Sequence, residues 1–281
     1  MRFNTIKSTS NYEANHPPDF MTHLNYVSCS NSITEGLSVD CNVNLKQKVS
    51  ESKNLAKKLN LIKLTWDSLN KEFEIILKNP DYAELCVPWV AVKAYYLLFN
   101  LLLIIKYLLT SSESSFISSH DRILKDMKEF IKKGDLCFNK SLVNNIYKAM
   151  EVQNFKFKSG DNIRTSTVDL EIRFQQILKK LLMYKIEDFQ RKNNIKTFRK
   201  KKDKEAKNDF LKNSDINICE FFYWYRIKAN YRDLEFLDKD ISSDQFMDFY
   251  KKYFELTGNF YKAFSELINV LSTKRLGRKI I

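Results

Sequence analysis

Glycine and proline are scarce in this chain: five and four among 281 residues. The prolines are Pro17, Pro18, Pro80 and Pro88, so no proline follows residue 88. The near-absence of the two strongest helix breakers predicts an all-α protein. The glycines are too few and scattered to form a phosphate-cradling loop, and neither a nucleophile elbow nor an HExxH run occurs. Cysteine is sparse as well: Cys29, Cys41, Cys86, Cys137 and Cys219, with no CxxC pair. An odd, widely spaced set describes neither a disulfide framework nor a zinc site. His16, His23 and His120 are too dispersed for a metal centre. No metal and no cofactor are therefore expected. Arg2 and Lys7 precede no apolar run, so the expectation is a chain without a secretory signal, in a reducing cytoplasm.

Hydrophobic residues make up 44% of the chain, enough for a sizeable core. Forty-seven Lys and Arg against 34 Asp and Glu leave a formal charge of +13. A basic excess favours a polyanionic partner, either nucleic acid or an anionic membrane face. A solvated lysine-rich surface gives the same total.

Residues 1–55 are rich in Asn, Ser and Thr and show no sustained period, which predicts a poorly ordered tail. Residues 56–272 then read as one helical domain, and 273–281 as a basic tail. Ile62, Trp66, Leu69, Phe73 and Ile76 recur at helical steps, and Asn79-Pro80-Asp81 closes that helix. Val87 to Thr110 is apolar around almost its whole circumference, with Pro88 expected in its first turn. It is long enough to span a bilayer. Lys93, Asn100 and Lys106 interrupt it and argue for a central bundle helix instead, with no membrane partner. Lys93, Tyr96 and Asn100 fall on one stripe, either a solvent edge or the polar wall of a groove. Further helices are predicted from Ser119 to Lys133 with Gly134 as the stop, over 140–152, over 167–191, and from Ser243 to Leu271. Residues 191–212 hold ten Lys/Arg against three Asp/Glu, seven of the thirteen net charges. This basic insertion, with Lys200, Lys201 and Lys202 at its centre, reads as a solvated helix extension or as an arm for phosphate. The sum is a helical bundle of about six helices.

One stretch does not read as plain core or plain surface: FFYWYRIKANYRDLEFL, Phe221 to Leu237. Arg226 is a permanent cation with a planar fork suited to phosphate. On a helix Asn230 lies about 40° from it and Tyr231 about 140°. Asp233 and Glu235 offer the alternative of a structural ion pair for Arg226.

RIKANY, with Arg226, Ala229, Asn230 and Tyr231, resembles the R-x-x-A-[DN]-Y run of small HEPN-domain proteins. AYYLLFN, Ala94 to Asn100, is similar to a segment of that family's first core helix. Ser119-His120 looks like the opening of its second. The resemblance spans about residues 85 to 270. It implies a HEPN-like four-helix core with additional helices, a homodimer, and an antitoxin or nucleotidyltransferase partner. It also implies RNA as ligand, in a toxin, phage-defence or stress setting. In that family an Arg binds phosphate and a His assists the 2′-hydroxyl in metal-independent endoribonuclease chemistry. On this chain the matching residues are Arg226, Asn230 and Tyr231, with Lys93, Asn100 and Lys200 to Lys202 as candidate nucleic-acid contacts. Tyr231 stands where the family has His, and a phenol is a poor base at neutral pH. Two readings therefore follow: an RNA-binding or RNA-cleaving protein, or a non-catalytic helical module that binds nucleic acid or a protein through the basic arm.

Overall fold

A computed structural model describes residues 20–45, 48, 52–158, 169–231 and 241–281, with the side chains of Lys228, Asn230 and Tyr231 excluded. Among the described residues the chain is an all-α bundle of ten helices with two minimal β-ribbons. In chain order these are α1 (Phe20–Thr34), β1 (Val39–Cys41), α2 (Lys53–Lys78), α3 (Tyr82–Thr110), α4 (His120–Lys132), β2 (Leu136–Phe138), α5 (Ser141–Asn144), β3 (Tyr147–Lys148) and α6 (Ala149–Gln153). Then come α7 (Leu170–Lys192), α8 (Lys201–Asn213), β4 (Asp215–Ile216), α9 (Phe221–Tyr231) and α10 (Ser243–Leu276).

The organising helix is α3. It packs against α10, α2, α9 and α4. A helix enclosed on several sides must be apolar nearly all round, and Leu97, Leu101, Leu103, Ile104, Ile105 and Leu108 are fully buried. It is also the one described helix long and apolar enough to cross a membrane, and 67% of its most apolar window is buried inside the bundle. Helix α3 starts at Tyr82, earlier than the sequence predicts. Pro88 is thus its seventh residue rather than a first-turn proline. The ring removes the N–H that would donate to the Glu84 carbonyl, and packing on the neighbouring helices carries the helix through.

Helix α10 lies along α3 and begins with a capping box. Gln245 N–H donates to Ser242 Oγ, and Ser242 N–H donates to Gln245 Oε1 at 2.9 Å. It runs to Leu276, so the first residues of the predicted basic tail are helical. Arg275 is buried there, its Nε donating to the Leu108 carbonyl at 2.8 Å and its Nη2 to the Leu109 carbonyl at 3.0 Å. Those carbonyls belong to the last turn of α3, where no intrahelical donor remains. Arg275→Met should lower stability by about 2–3 kcal/mol, the usual cost of leaving buried acceptors without a charged donor. A urea midpoint unchanged beside wild type would show that the α3 terminus finds other partners.

Two expected elements are corrected. The polar tail predicted for 1–55 contains a folded part: α1 packs on α10 and α7, and Phe20, Leu24, Val27 and Ile33 are buried. Its Ser, Asn and Thr residues are weak helix formers, so tertiary burial creates this helix. The single helix expected over 140–152 is broken into α5, β3 and α6. Asn217 Nδ2 donates to the carbonyls of Val143 and Asn145, each at 2.8 Å. Tyr147, whose N–H would have continued the helix onto Val143, pairs with Ile216 instead.

A buried charge cluster joins α4 and α7 to the turn that opens α9. Glu220 accepts from Lys128 at 2.5 Å and from Lys185 at 2.9 Å. Both ammoniums also donate to the Asp215 carbonyl, at 3.0 and 2.8 Å. Burial pushes the Glu220 carboxyl up, but the two lysines outweigh burial and hold it below the ordinary carboxylate range. Glu220 immediately precedes α9, so this cluster sets where Tyr223 and Arg226 point.

Candidate functional site

Helix α9 presents Tyr223 and Arg226 one turn apart, so both face the same neighbour. That neighbour is α3, which contributes Tyr95, Tyr96 and Phe99 within little more than one turn. The first turn of α4 adds His120, held by the Ser119 cap whose hydroxyl accepts from the Arg122 N–H. Three helices therefore converge on one cluster of rings around a guanidinium.

Arg226 Cζ lies 5.0 Å from the Tyr95 ring centre, 5.5 Å from Tyr223 and 5.8 Å from Tyr96. These are cation–π distances. Its Nη1 donates to Tyr96 Oη at 3.3 Å, while Nε is buried without a hydrogen-bond partner. Among the described residues no carboxylate pairs with it; Asp233 and Glu235 lie outside them. Arg226 is only 8% exposed, so it sits inside the cage rather than on open surface. The cage opens at Tyr96, which is 40% exposed, and at the half-buried His120 and Tyr223.

His120 packs on Phe99 at 4.5 Å between ring centres and on Tyr95 at 5.3 Å. Its Nδ1 is 2.5 Å from Tyr95 Oη. Burial lowers the imidazole's pKa, the Arg226 charge lowers it further, and Asp121 opposes both. Burial raises the Tyr95 phenol and pushes the Tyr223 phenol up to about 12. At neutral pH the Tyr95 and Tyr223 phenols and the His120 imidazole are therefore neutral beside the Arg226 guanidinium. In the tautomer with the proton on Nδ1, that N–H donates to Tyr95 and leaves Nε2 as an acceptor.

The structure sorts the predicted residues. Arg226 is in the cluster. Asn230 and Tyr231 lie in the last turn of α9, and their side chains fall outside the described residues. Asn100 lines no groove: it is buried and donates to the Tyr96 carbonyl at 2.8 Å, a local bond that satisfies a polar side chain in the core. Lys93 pairs with Glu72 and donates to Ser68 Oγ at 3.2 Å, so it serves the α2–α3 seam. Lys200, Lys201 and Lys202 are exposed where α8 begins, and no carboxylate pairs with them among the described residues. Sequence reasoning placed His120 at the opening of a helix without bringing it to Arg226. The signal that places it was present in the aromatic triplet Tyr95, Tyr96 and Phe99 on α3, which gives an imidazole at the start of α4 rings to pack on.

Compared with known proteins, the chain matches no protein-family model, no curated protein and no solved structure.

Proposed function

We propose that this chain binds RNA at the Arg226 cage and cleaves it without a metal, as the resemblance to HEPN domains implies. The observation that carries the reading is that Arg226 and His120 share the Tyr95 ring, with no carboxylate partner for the guanidinium among the described residues. A buried guanidinium favours an incoming anion. The guanidinium fork would hold the phosphate. His120 Nε2 would take the 2′-hydroxyl proton as the 2′-oxygen attacks phosphorus. The 5′-oxygen leaves with a proton from water, giving a 2′,3′-cyclic phosphate and a 5′-hydroxyl. His120 then fills the role that Tyr231 fills poorly. A homodimer, and an antitoxin or nucleotidyltransferase partner in the cytoplasm, belong to the same proposal.

Mixed RNA incubated with the protein in EDTA tests it. Wild type should give products ending in cyclic phosphate, and both His120→Ala and Arg226→Met should lose at least about 100-fold in rate, the usual contribution of a general base or a charge-stabilising donor. Because the His120 pKa lies below its ordinary value near 6.5, the wild-type rate should be level above about pH 6.5. It should fall at lower pH, as the pH passes through the lowered pKa and the imidazole gains its proton. Equal degradation by all three proteins, or none by any, ends the cleavage reading.

A second reading is favoured by the exposed Lys200 to Lys202, which pair with no carboxylate among the described residues: a non-catalytic module whose basic arm binds the polyanion. It predicts that binding survives Arg226→Met and fails when the three lysines are neutralised.

A further inference from the structure

A cavity of about 270 Å³ opens between α4, α7, α8 and α9, beside the Arg226 cage. Tyr223 belongs to both: it lines the cavity, and its ring is 5.5 Å from the Arg226 guanidinium. Asp121, on the cavity rim, directly follows His120 in the chain.

Its charge pattern is unlike that of the cage. Three ammoniums and three carboxylates line it, and each is already paired. Lys128 and Lys185 hold Glu220 at 2.5 and 2.9 Å, and Lys192 holds Asp188 at 2.8 Å and Asp121 at 3.3 Å. The lining is neutral, so a phosphate entering it would meet three carboxylates for three lysines and gain little. Between the charged groups stand flat apolar walls. Phe189 and Phe210, stacked on each other at 4.5 Å, and Tyr223 and Trp224, edge to face at 5.0 Å, supply them. At the rim, the Ser214 hydroxyl, Lys192 and Asp121 offer both donors and acceptors. Pockets for drug-sized ligands run from about 300 Å³ upward, so this one suits a single ring system.

A site for a neutral, planar group with donors and acceptors on its edge, next to the Arg226 guanidinium, matches one nucleotide unit. We infer that the cavity receives the base of the RNA nucleotide whose phosphate Arg226 holds. The inference rests on the RNA reading above and adds a base subsite to it. Base–aromatic stacking tolerates any base, while the rim groups favour bases that present donor and acceptor side by side.

Trp224 lines the cavity, so its fluorescence reports occupancy. The 281-residue chain carrying Trp66→Phe and Trp89→Phe leaves Trp224 as its sole tryptophan. Guanosine, adenosine, cytidine and uridine should each quench it saturably. Ribose 5-phosphate, which has no base, should not. Ser214→Tyr, which narrows the mouth, and Phe210→Leu, which removes a wall, should each weaken nucleoside quenching at least tenfold. They should also weaken binding of single-stranded RNA by a similar factor while leaving helicity by circular dichroism unchanged. No quenching by any nucleoside, with RNA binding still dependent on Arg226, overturns the base subsite and leaves the RNA reading intact. Quenching by nucleosides with RNA binding indifferent to both pocket variants also overturns it, since the pocket then serves free nucleosides. Loss of RNA binding in neither the pocket variants nor Arg226→Met removes both the base subsite and the reading that RNA binds at the Arg226 cage.

Discussion

Glu220→Gln should lower stability by about 3–5 kcal/mol. The carboxylate is nearly inaccessible and is shared by two ammoniums. Glutamine keeps the shape and removes the charge, so Lys128 and Lys185 remain buried against a neutral amide. Breaking a buried pair from one side costs far more than the pair contributes, because the orphaned charge cannot return to water. A loss of this size is a large share of the roughly 5–15 kcal/mol that holds most domains together. It should lower the melting temperature by on the order of 10 °C. Because the folded-state carboxyl sits below its ordinary value, its contribution is present above about pH 4.3 and lost as the pH falls through the folded value. Wild type should therefore lose this increment on acidification, and Glu220→Gln should lack that component of the acid transition. Replacing Lys128 and Lys185 with Met together with Glu220→Leu should recover much of the loss. Recovery stays incomplete because the Asp215 carbonyl loses both donors. Chemical denaturation of the single and triple variants checks the pair of outcomes. A Glu220→Gln protein within 1 kcal/mol of wild type, a figure on the scale of an exposed pair, would show that the cluster is hydrated.

Arg226→Met should separate binding from stability in the opposite sense. The arginine is buried without a carboxylate partner among the described residues, and its Nε has no acceptor. Desolvation of the guanidinium costs several kcal/mol, and packing on three tyrosines returns about 0.5–2 kcal/mol for each favourable ring contact. The terms nearly cancel, so an unbranched apolar side chain of similar reach should change folding stability by less than about 1 kcal/mol. RNA affinity should fall by about 10- to 100-fold, the worth of a charge-assisted hydrogen bond to phosphate. A structural arginine would behave the other way, with stability falling and RNA affinity holding. Neutralising Lys200, Lys201 and Lys202 should weaken binding only modestly, because α8 carries those charges on open surface where salt screens them.

The all-α bundle was legible because helical periodicity and the lack of breakers act within one segment. Leu69, Phe73 and Ile76 on α2, or Phe260, Phe264 and Leu267 on α10, announce a buried face without reference to other helices. What was not legible depended on distant partners. Helix α1 exists because α10 and α7 cover it, and the break after Asn144 exists because Asn217, more than seventy residues away, takes the carbonyls the helix needed. The same rule divides the site. Arg226 was visible from its own neighbours in sequence. The union of Arg226 with His120 and Tyr95 was not, since it arises where α3, α4 and α9 meet. Asn100 shows the converse error: a polar residue on a helical stripe suggests a groove until its amide is found bonded to the carbonyl four residues back.

The dependence of RNA affinity on salt tests the central claim most directly. Each phosphate held by a cation on single-stranded RNA contributes about −0.7 to the slope of log affinity against log salt concentration. With Arg226 as a phosphate ligand, Arg226→Met should shallow the wild-type slope by about 0.7 as well as weaken binding. Superimposable titrations for the two proteins would mean that no phosphate touches this guanidinium, and the cage would then be no more than a packed interior.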